Sequence, residues 1–338
     1  MTTPSGQISA QDIKNEFGEL NGTVPLGNYR VSETRGALTL NIGDGVPGPG
    51  QSISFDNLRN KRLNIVVDYY SGGTISRQDQ GDNTTDARHR YNNQNDKVTV
   101  IGGLKSKPSD TSPHRVRIHV NKTIGGKKGN RNFCALRTGT GWESGTALIV
   151  EVGGEGAIYG GGGDGGEGGN SNLDAGDPGG DGASALGIQY NGTNINLACG
   201  GLIRCCFGGG GGGGSGRQSD KGGDRRAGGG GGGGGQGFPG GAGGDRGRSE
   251  FGATDGSAGD ISEAGEGGGG GNNHNQAYGS GGGEGGSIGE QADPGGSGNH
   301  GGGSGGAEGA AIRKTAGISF SLTNNGTITG STSANDVS

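Results

Sequence analysis

No stretch of this 338-residue chain approaches the ~20 consecutive apolar residues that span a bilayer as a helix. The opening, MTTPSGQISAQDIKNEFGEL, has neither the charged head nor the apolar centre of a signal peptide. Synthesis in a cytoplasm, without machinery-read export, is therefore expected. Basic residues are not in excess: 28 Lys and Arg stand against 33 Asp and Glu, with both signs mixed and a net charge of −5. A nucleic-acid binder needs a concentrated basic footprint, so that class is excluded. The four cysteines, Cys134, Cys199, Cys205 and Cys206, form no C-x-x-C pair, and adjacent Cys205 and Cys206 are poorly spaced for a metal. They read as small, reduced, buried hydrophobes.

Catalytic and nucleotide motifs are missing too. There is no G-x-x-x-x-G-K-[ST], H-E-x-x-H or G-x-S-x-G. Gly43 to Gly48 matches G-x-G-x-x-G but opens no helix, because Pro49 and Gly50 follow. Gly240 to Asp245 begins like a calcium-binding nonapeptide, yet Gly247 takes the place of the large apolar residue and no tandem copy follows. His114 and His119 read as strand and loop residues, and the many carboxylates lack the rigid cleft that glycoside cleavage requires. No enzyme activity, no metal and no cofactor are expected.

Glycine is what abounds, at 91 of 338 residues. Residues 1–152 hold 20 and residues 310–338 hold 3, which leaves 68 for residues 153–309. Glycine costs about 0.5–1 kcal/mol per residue inside regular elements, so a helix bundle or doubly wound fold is excluded there. Collagen is excluded as well, since the nine prolines are scattered and no strict G-X-Y period exists. The expected fold is mainly β, in three parts: residues 1–60, 61–152 and 153–338.

The first part contains an echo. Gly6-Gln7-Ile8-Ser9-Ala10-Gln11-Asp12-Ile13 returns as Gly50-Gln51-Ser52-Ile53-Ser54-Phe55-Asp56-Asn57-Leu58. Each copy puts a serine at a helix N-cap, with Asp12 or Asn57 three residues on, and predicts one or two helical turns. Neither copy can bury enough surface alone, so Ile8, Ile13, Phe17, Ile53, Phe55 and Leu58 are candidates for a partner surface. In the second part, the β-branched runs at 63–67, 97–101, 116–120 and 148–152 predict strands of a small β-sandwich.

A longer repeat runs through the third part. An apolar strand, a turn and a G-x-I pair recur at Ala147–Val152 with Gly156-Ala157-Ile158, at Ile195–Leu197 with Gly201-Leu202-Ile203, and at Ile318–Leu322 with Gly326-Thr327-Ile328. Apolar strands repeated in this way must pack on one another, so the glycine excursions lie outside a shared β framework. The runs themselves read as a bundle of polyglycine in the polyproline-II conformation. That conformation has no internal hydrogen bonds, so each backbone group must pair with a neighbouring run. Asp177-Pro178-Gly179-Gly180, Phe238-Pro239-Gly240-Gly241 and Asp293-Pro294-Gly295-Gly296 sit where the runs would reverse.

Uniform glycine cannot discriminate between ligands, so recognition falls to the inserts. The candidates are Arg217, Asp220, Lys221, Arg225 and Arg226 in RQSDKGGDRR, and Phe238, Arg248 and Phe251 in the next insert. Asn273, His274 and Tyr278 form a third, and Asn299-His300 a fourth with His300 as its candidate. Exposed rings beside Asn, Arg and His supply stacking surfaces and fixed hydrogen-bond donors.

The series Ala135-Leu136-Arg137-Thr138-Gly139, Gly141-Trp142, Ala147–Val150 and Gly156-Ala157-Ile158-Tyr159-Gly160-Gly161 resembles the glycine-rich distal regions of tailed-bacteriophage receptor-binding proteins. The echo near residue 5 resembles segments near the ends of phage tail and fibre proteins. The runs separated by polar loops are similar to the tip adhesins of T-even-type long tail fibres. This resemblance implies a virion protein at the tail tip or fibre, attached through residues 1–60. It implies tail or baseplate proteins as partners, and a bacterial surface receptor, polysaccharide or outer-membrane protein, held by the loops. Related fibres imply a homo-oligomer, a trimer by preference. The alternative is a structural tail or baseplate component with no direct receptor contact.

Overall fold

Three times the chain runs through three short strands, and each time the strands enter the same three sheets. The computed structural model describes all residues except 1–2, 19–22, 24, 31, 36–37, 42–45, 70–85, 94–97, 102–114, 171–173, 221–222, 249–250, 274–276 and 338. Both predicted caps are present at the N-terminal end. Ser9 caps helix α1 (Ala10–Phe17), with the Asp12 N–H donating to Ser9 Oγ and the Ser9 N–H to Asp12 Oδ2. Ser54 and Asn57 form the equivalent box on the short turn Phe55–Leu58. The Thr3 N–H bonds the Lys61 carbonyl at 3.0 Å, which clips the chain start onto the end of the second echo copy. A hairpin of β1 (Ser32–Arg35) and β2 (Leu38–Asn41) lies between the copies.

The β framework begins with β3 (Asn64–Tyr69), α2 (Ala87–Asn93), β4 (Val98–Ile101), β5 (Arg115–Val120) and β6 (Thr123–Ile124). The first full coil is β7 (Cys134–Arg137), β8 (Ala147–Val152) and β9 (Ala157–Tyr159). The second is β10 (Ser184–Ile188), β11 (Thr193–Leu197) and β12 (Leu202–Arg204). Two distal hairpins follow, β13 (Gly216–Asp220) with β14 (Gly223–Ala227), and β15 (Asn272–Asn273) with β16 (Ala277–Tyr278). The last coil is β17 (Ile312–Lys314), β18 (Phe320–Asn324) and β19 (Thr327–Thr329), closed by β20 (Ala334–Asn335).

Every pairing between coils is parallel, and the inward residues form columns. One column is Val67, Ile118, Val150, Ile195 and Leu322; a second is Ile124, Ile158, Ile203 and Ile328; a third is Leu136, Leu186 and Ile312. Inside the stack these side chains are fully buried, each contributing about 1.5–3 kcal/mol. The result is a three-sided parallel β-solenoid. Where a sandwich was expected, β3, β4, β5 and β8 lie in one sheet, which continues past residue 152 into β11 and β18. Apolar alternation is common to both architectures, but short corners such as Gly153 to Gly156 send each strand into a new sheet instead of back along the old one.

Ile8, Ile13, Phe17 and Leu58 are buried in the hydrophobic core of this same chain, and Ile53 packs against it. Of the six apolar echo residues, Phe55 is the exposed one, at 40%.

Both long glycine excursions leave after a strand of the sheet β19-β12-β9-β6 and return before a strand of the sheet β20-β17-β10-β7. The run 228–235 shows their packing. Gly229, Gly232 and Gly235 donate to Gly169, Gly166 and Gly163; Gly230 and Gly233 donate to Ser280 and Gly283; Gly231 and Gly234 donate to Thr254 and Ser257. Its carbonyls accept in the same steps of three from Gly210 and Gly213, from Gly241, Gly244 and Gly247, and from Gly265, Gly268 and Gly271. The run thus donates to three neighbours and accepts from three others, returning to each at every third residue. Only glycine permits this spacing: a Cβ on Gly232 would strike the Gly210 carbonyl oxygen.

Candidate functional site

The glycine segments alternate in direction, so their connections gather at two ends. At the end far from the solenoid, five connections are tied together. The Arg248 N–H donates to Asn170 Oδ1 at 2.9 Å, the Ser215 N–H to the Asp174 carbonyl at 3.3 Å and the Asn272 N–H to the Phe251 carbonyl at 3.1 Å. The His300 N–H reaches the Ser215 carbonyl at 3.2 Å, and the Arg217 N–H reaches Asn299 Oδ1 at 2.7 Å. The β13–β14 and β15–β16 hairpins contact each other. The described ends of these loops are thereby fixed in the lattice.

A cavity of about 500 Å³ opens between these loops, lined by Arg217, Tyr278, Ser280, Ser297 and Asn299 with Gly279 and Gly298. That size suits one or two sugar rings or a few side chains. Tyr278 is 55% exposed, an unusual position for a large ring, and offers a face for stacking. The Ser280 hydroxyl donates to the Gly214 carbonyl at 3.2 Å and is held at the cavity wall. Across the hairpin Arg217 stands directly opposite Arg226.

Of the residues picked from sequence, Arg217 and Tyr278 line the cavity, and Arg226, Arg248, Phe251 and His300 lie at the same end. Lys221 and His274 lie outside the described residues, and of Asp220, Arg225 and Asn273 the backbone alone is described. Phe238 is elsewhere. Its N–H donates to the Gly160 carbonyl, its carbonyl accepts from Gly126, and its ring meets Tyr159 edge-on at 6.4 Å, beside the solenoid. An aromatic among glycines reads as an insert, but this one is a packing residue at a reversal. Ser280 and Ser297 were missed, since a serine at the end of a glycine run carries no signal of its own. The arrangement holds a ring, a guanidinium, an amide and hydroxyls: it can bind, with no nucleophile paired to a base among the described residues.

A family model described as "Phage tail fibre adhesin Gp38" matches residues 72–333. Among solved structures, the gp37-gp38 adhesin tip complex of the bacteriophage S16 long tail fiber is similar over 84% of this chain and 88% of that one. Its identity is 20% and its TM-score 0.39. No curated protein matches.

Proposed function

Because the chain belongs to the Gp38 family of phage tail fibre adhesins, we propose that it binds a bacterial surface receptor through the loops at the far end of its glycine lattice. The observation that carries this reading is the cavity of Arg217, Tyr278 and Asn299, walled by three of the five loops gathered at that end. The glycine segments act as polyglycine-II helices, a stiff bundle that holds the loops away from the solenoid. Arg226, Arg248, Phe251 and His300 extend the contact surface around the cavity. Asp220, Lys221, Arg225, Asn273 and His274 belong to the same loops and are proposed with them.

Residues 1–60 attach the protein to its tail partners. With most echo side chains in the core, Phe55 is the apolar contact they leave at the surface. Several copies of the adhesin, a trimer by preference, would turn weak contacts into avidity. The receptor is a polysaccharide or an outer-membrane protein, and binding needs no chemistry.

The test is binding of the full chain to a panel of bacterial strains, read by flow cytometry. Saturable binding to a subset of strains, reduced at least about tenfold by Tyr278→Ala or Arg217→Ala, is the expected result. If no strain is bound even when the chain is multimerised, the structural tail component becomes the better reading.

A further inference from the structure

A second cavity, of about 490 Å³, lies where the glycine segments rejoin the solenoid. Its wall includes Arg131, Arg313, Phe207, Gln291, Glu308 and Ser331. Arg313 projects from β17 and is only 7% exposed. Its Nε donates to Ser184 Oγ at 3.1 Å and its Nη1 to the Asn335 carbonyl, both of them neutral acceptors. The same Ser184 hydroxyl donates to the Arg131 carbonyl at 2.5 Å and accepts from the Ala310 N–H at 2.9 Å. One buried serine therefore fixes both arginine-bearing segments to the cavity edge.

Among the described residues no carboxylate forms an ion pair with Arg131 or Arg313, although Glu308 shares the wall. Burial lowers the pKa of Arg313 and the nearby charge of Arg131 adds to the lowering, while Cys134 and the Asp336 carboxylate offset part of it. A buried guanidinium with no carboxylate in direct contact, beside a second guanidinium, is costly for the fold alone. A bound oxyanion would relieve that cost, because the planar fork of arginine matches phosphate and carboxylate geometry. Around the charged pair, the Gln291 amide and Ser331 hydroxyl supply neutral hydrogen-bonding groups, and Phe207 supplies an apolar wall.

We propose that this cavity is a binding site for the oxyanion of an acidic sugar, a phosphate or a carboxylate, with Arg131 and Arg313 as its ligating pair. The site is separate from the distal loops and does not depend on what they bind. Calorimetric titration of the full chain at low salt tests it, with inorganic phosphate, glucose 1-phosphate, glucuronate and glucose as probes. At least one acidic sugar is expected to bind about tenfold more tightly than glucose and than inorganic phosphate. Which of the two binds separates phosphate from carboxylate as the group recognised.

Arg131→Ala, at an exposed side chain, is expected to weaken that binding at least about tenfold with an unchanged melting midpoint. Gln291→Ala provides a second variant whose side chain ties no backbone, with an expected loss of about threefold. Equal affinity for glucose and the acidic sugars would overturn the proposal, as would an undiminished response in Arg131→Ala. Inorganic phosphate binding as tightly as either acidic sugar would overturn the sugar part and leave a free-phosphate site.

Discussion

Arg217 and Asn299 are 82 residues apart in the chain, and the backbone N–H of Arg217 donates to the Asn299 side-chain oxygen at 2.7 Å. That bond joins the first distal hairpin to the last loop and sets the width of the cavity between them. It is exposed, so its net contribution to stability is small, about 0.5–1.5 kcal/mol. On the proposed function its contribution to binding is larger, because two loops must keep one spacing for a ligand to touch both. Asn299→Ala should leave the melting midpoint within a few degrees of the wild type and reduce cell binding by about tenfold or more. Asn299→Asp keeps the acceptor and should retain most of the binding. Equal loss in both variants would mean the bond is not what positions the loops.

The solenoid columns make a graded prediction about stability. Ile203 is fully buried with Ile158 on one side and Ile328 on the other. Ile203→Ala should cost about 2–5 kcal/mol, the range for a large-to-small change in a packed core. Leu322 ends its column on β18 and is 37% exposed. Leu322→Ala should cost about 1 kcal/mol or less, since much of its apolar area already meets water. Urea denaturation of the two variants would show the difference, and similar costs would mean that Leu322 is covered in solution.

The thiols differ in the same graded way. Cys134, Cys205 and Cys206 are buried, whereas Cys199 is exposed on the corner before β12, contrary to the reading of all four as buried. Burial pushes the Cys205 thiol up to about 12 and raises Cys206 as well. The thiolate is the reactive form, so a thiol reagent at pH 8 should label Cys199 quickly and the other three only on unfolding. The linkage has a definite sign. A thiol whose pKa is higher in the folded state makes rising pH disfavour folding: stability from it is full below its ordinary value of 9.0 and falls as pH climbs toward the folded value. Denaturation midpoints at pH 7 and pH 10 should therefore differ in favour of pH 7, and Cys205→Ala should narrow the gap.

Local chemistry was legible in the sequence, and long-range pairing was not. The Ser9–Asp12 and Ser54–Asn57 caps could be read because a capping box lies within four residues. The G-x-I repeat could be read because each coil places Ile158, Ile203 or Ile328 at one position of one sheet. Four strands at 61–152 were found, whereas the short β6 and β7 and the helix Ala87–Asn93 were not, and nothing in Val116–Val120 says that its partners are β3 and β8, both in parallel. Arg217 and Tyr278 stood out as charge and ring among glycines. Asp164 did not, although its carboxylate accepts from the Ala242 N–H at 2.6 Å and from Lys128 at 3.1 Å and so holds the lattice edge. Such partners follow from the register of the glycine runs, which identical residues cannot encode one by one.

The glycines themselves supply the sharpest contrast. Gly232 lies inside the lattice, donating to Gly166 at 2.9 Å, and any Cβ there would meet the Gly210 backbone, which has no rotamer with which to yield. Gly301 sits by the last distal loop with no atom within 4 Å of the place a Cβ would take. Gly301→Ala should be neutral, or stabilising by about 0.4–1 kcal/mol, because alanine restricts the unfolded chain. Gly232→Ala should cost at least the ~3 kcal/mol at the top of the ordinary overpacking range, since neighbours on six sides prevent the run from shifting. Thermal unfolding of the two variants decides the point. If Gly232→Ala melts within about a degree of Gly301→Ala, the run is not held in a close-packed lattice, and the rigid base of the distal loops goes with it.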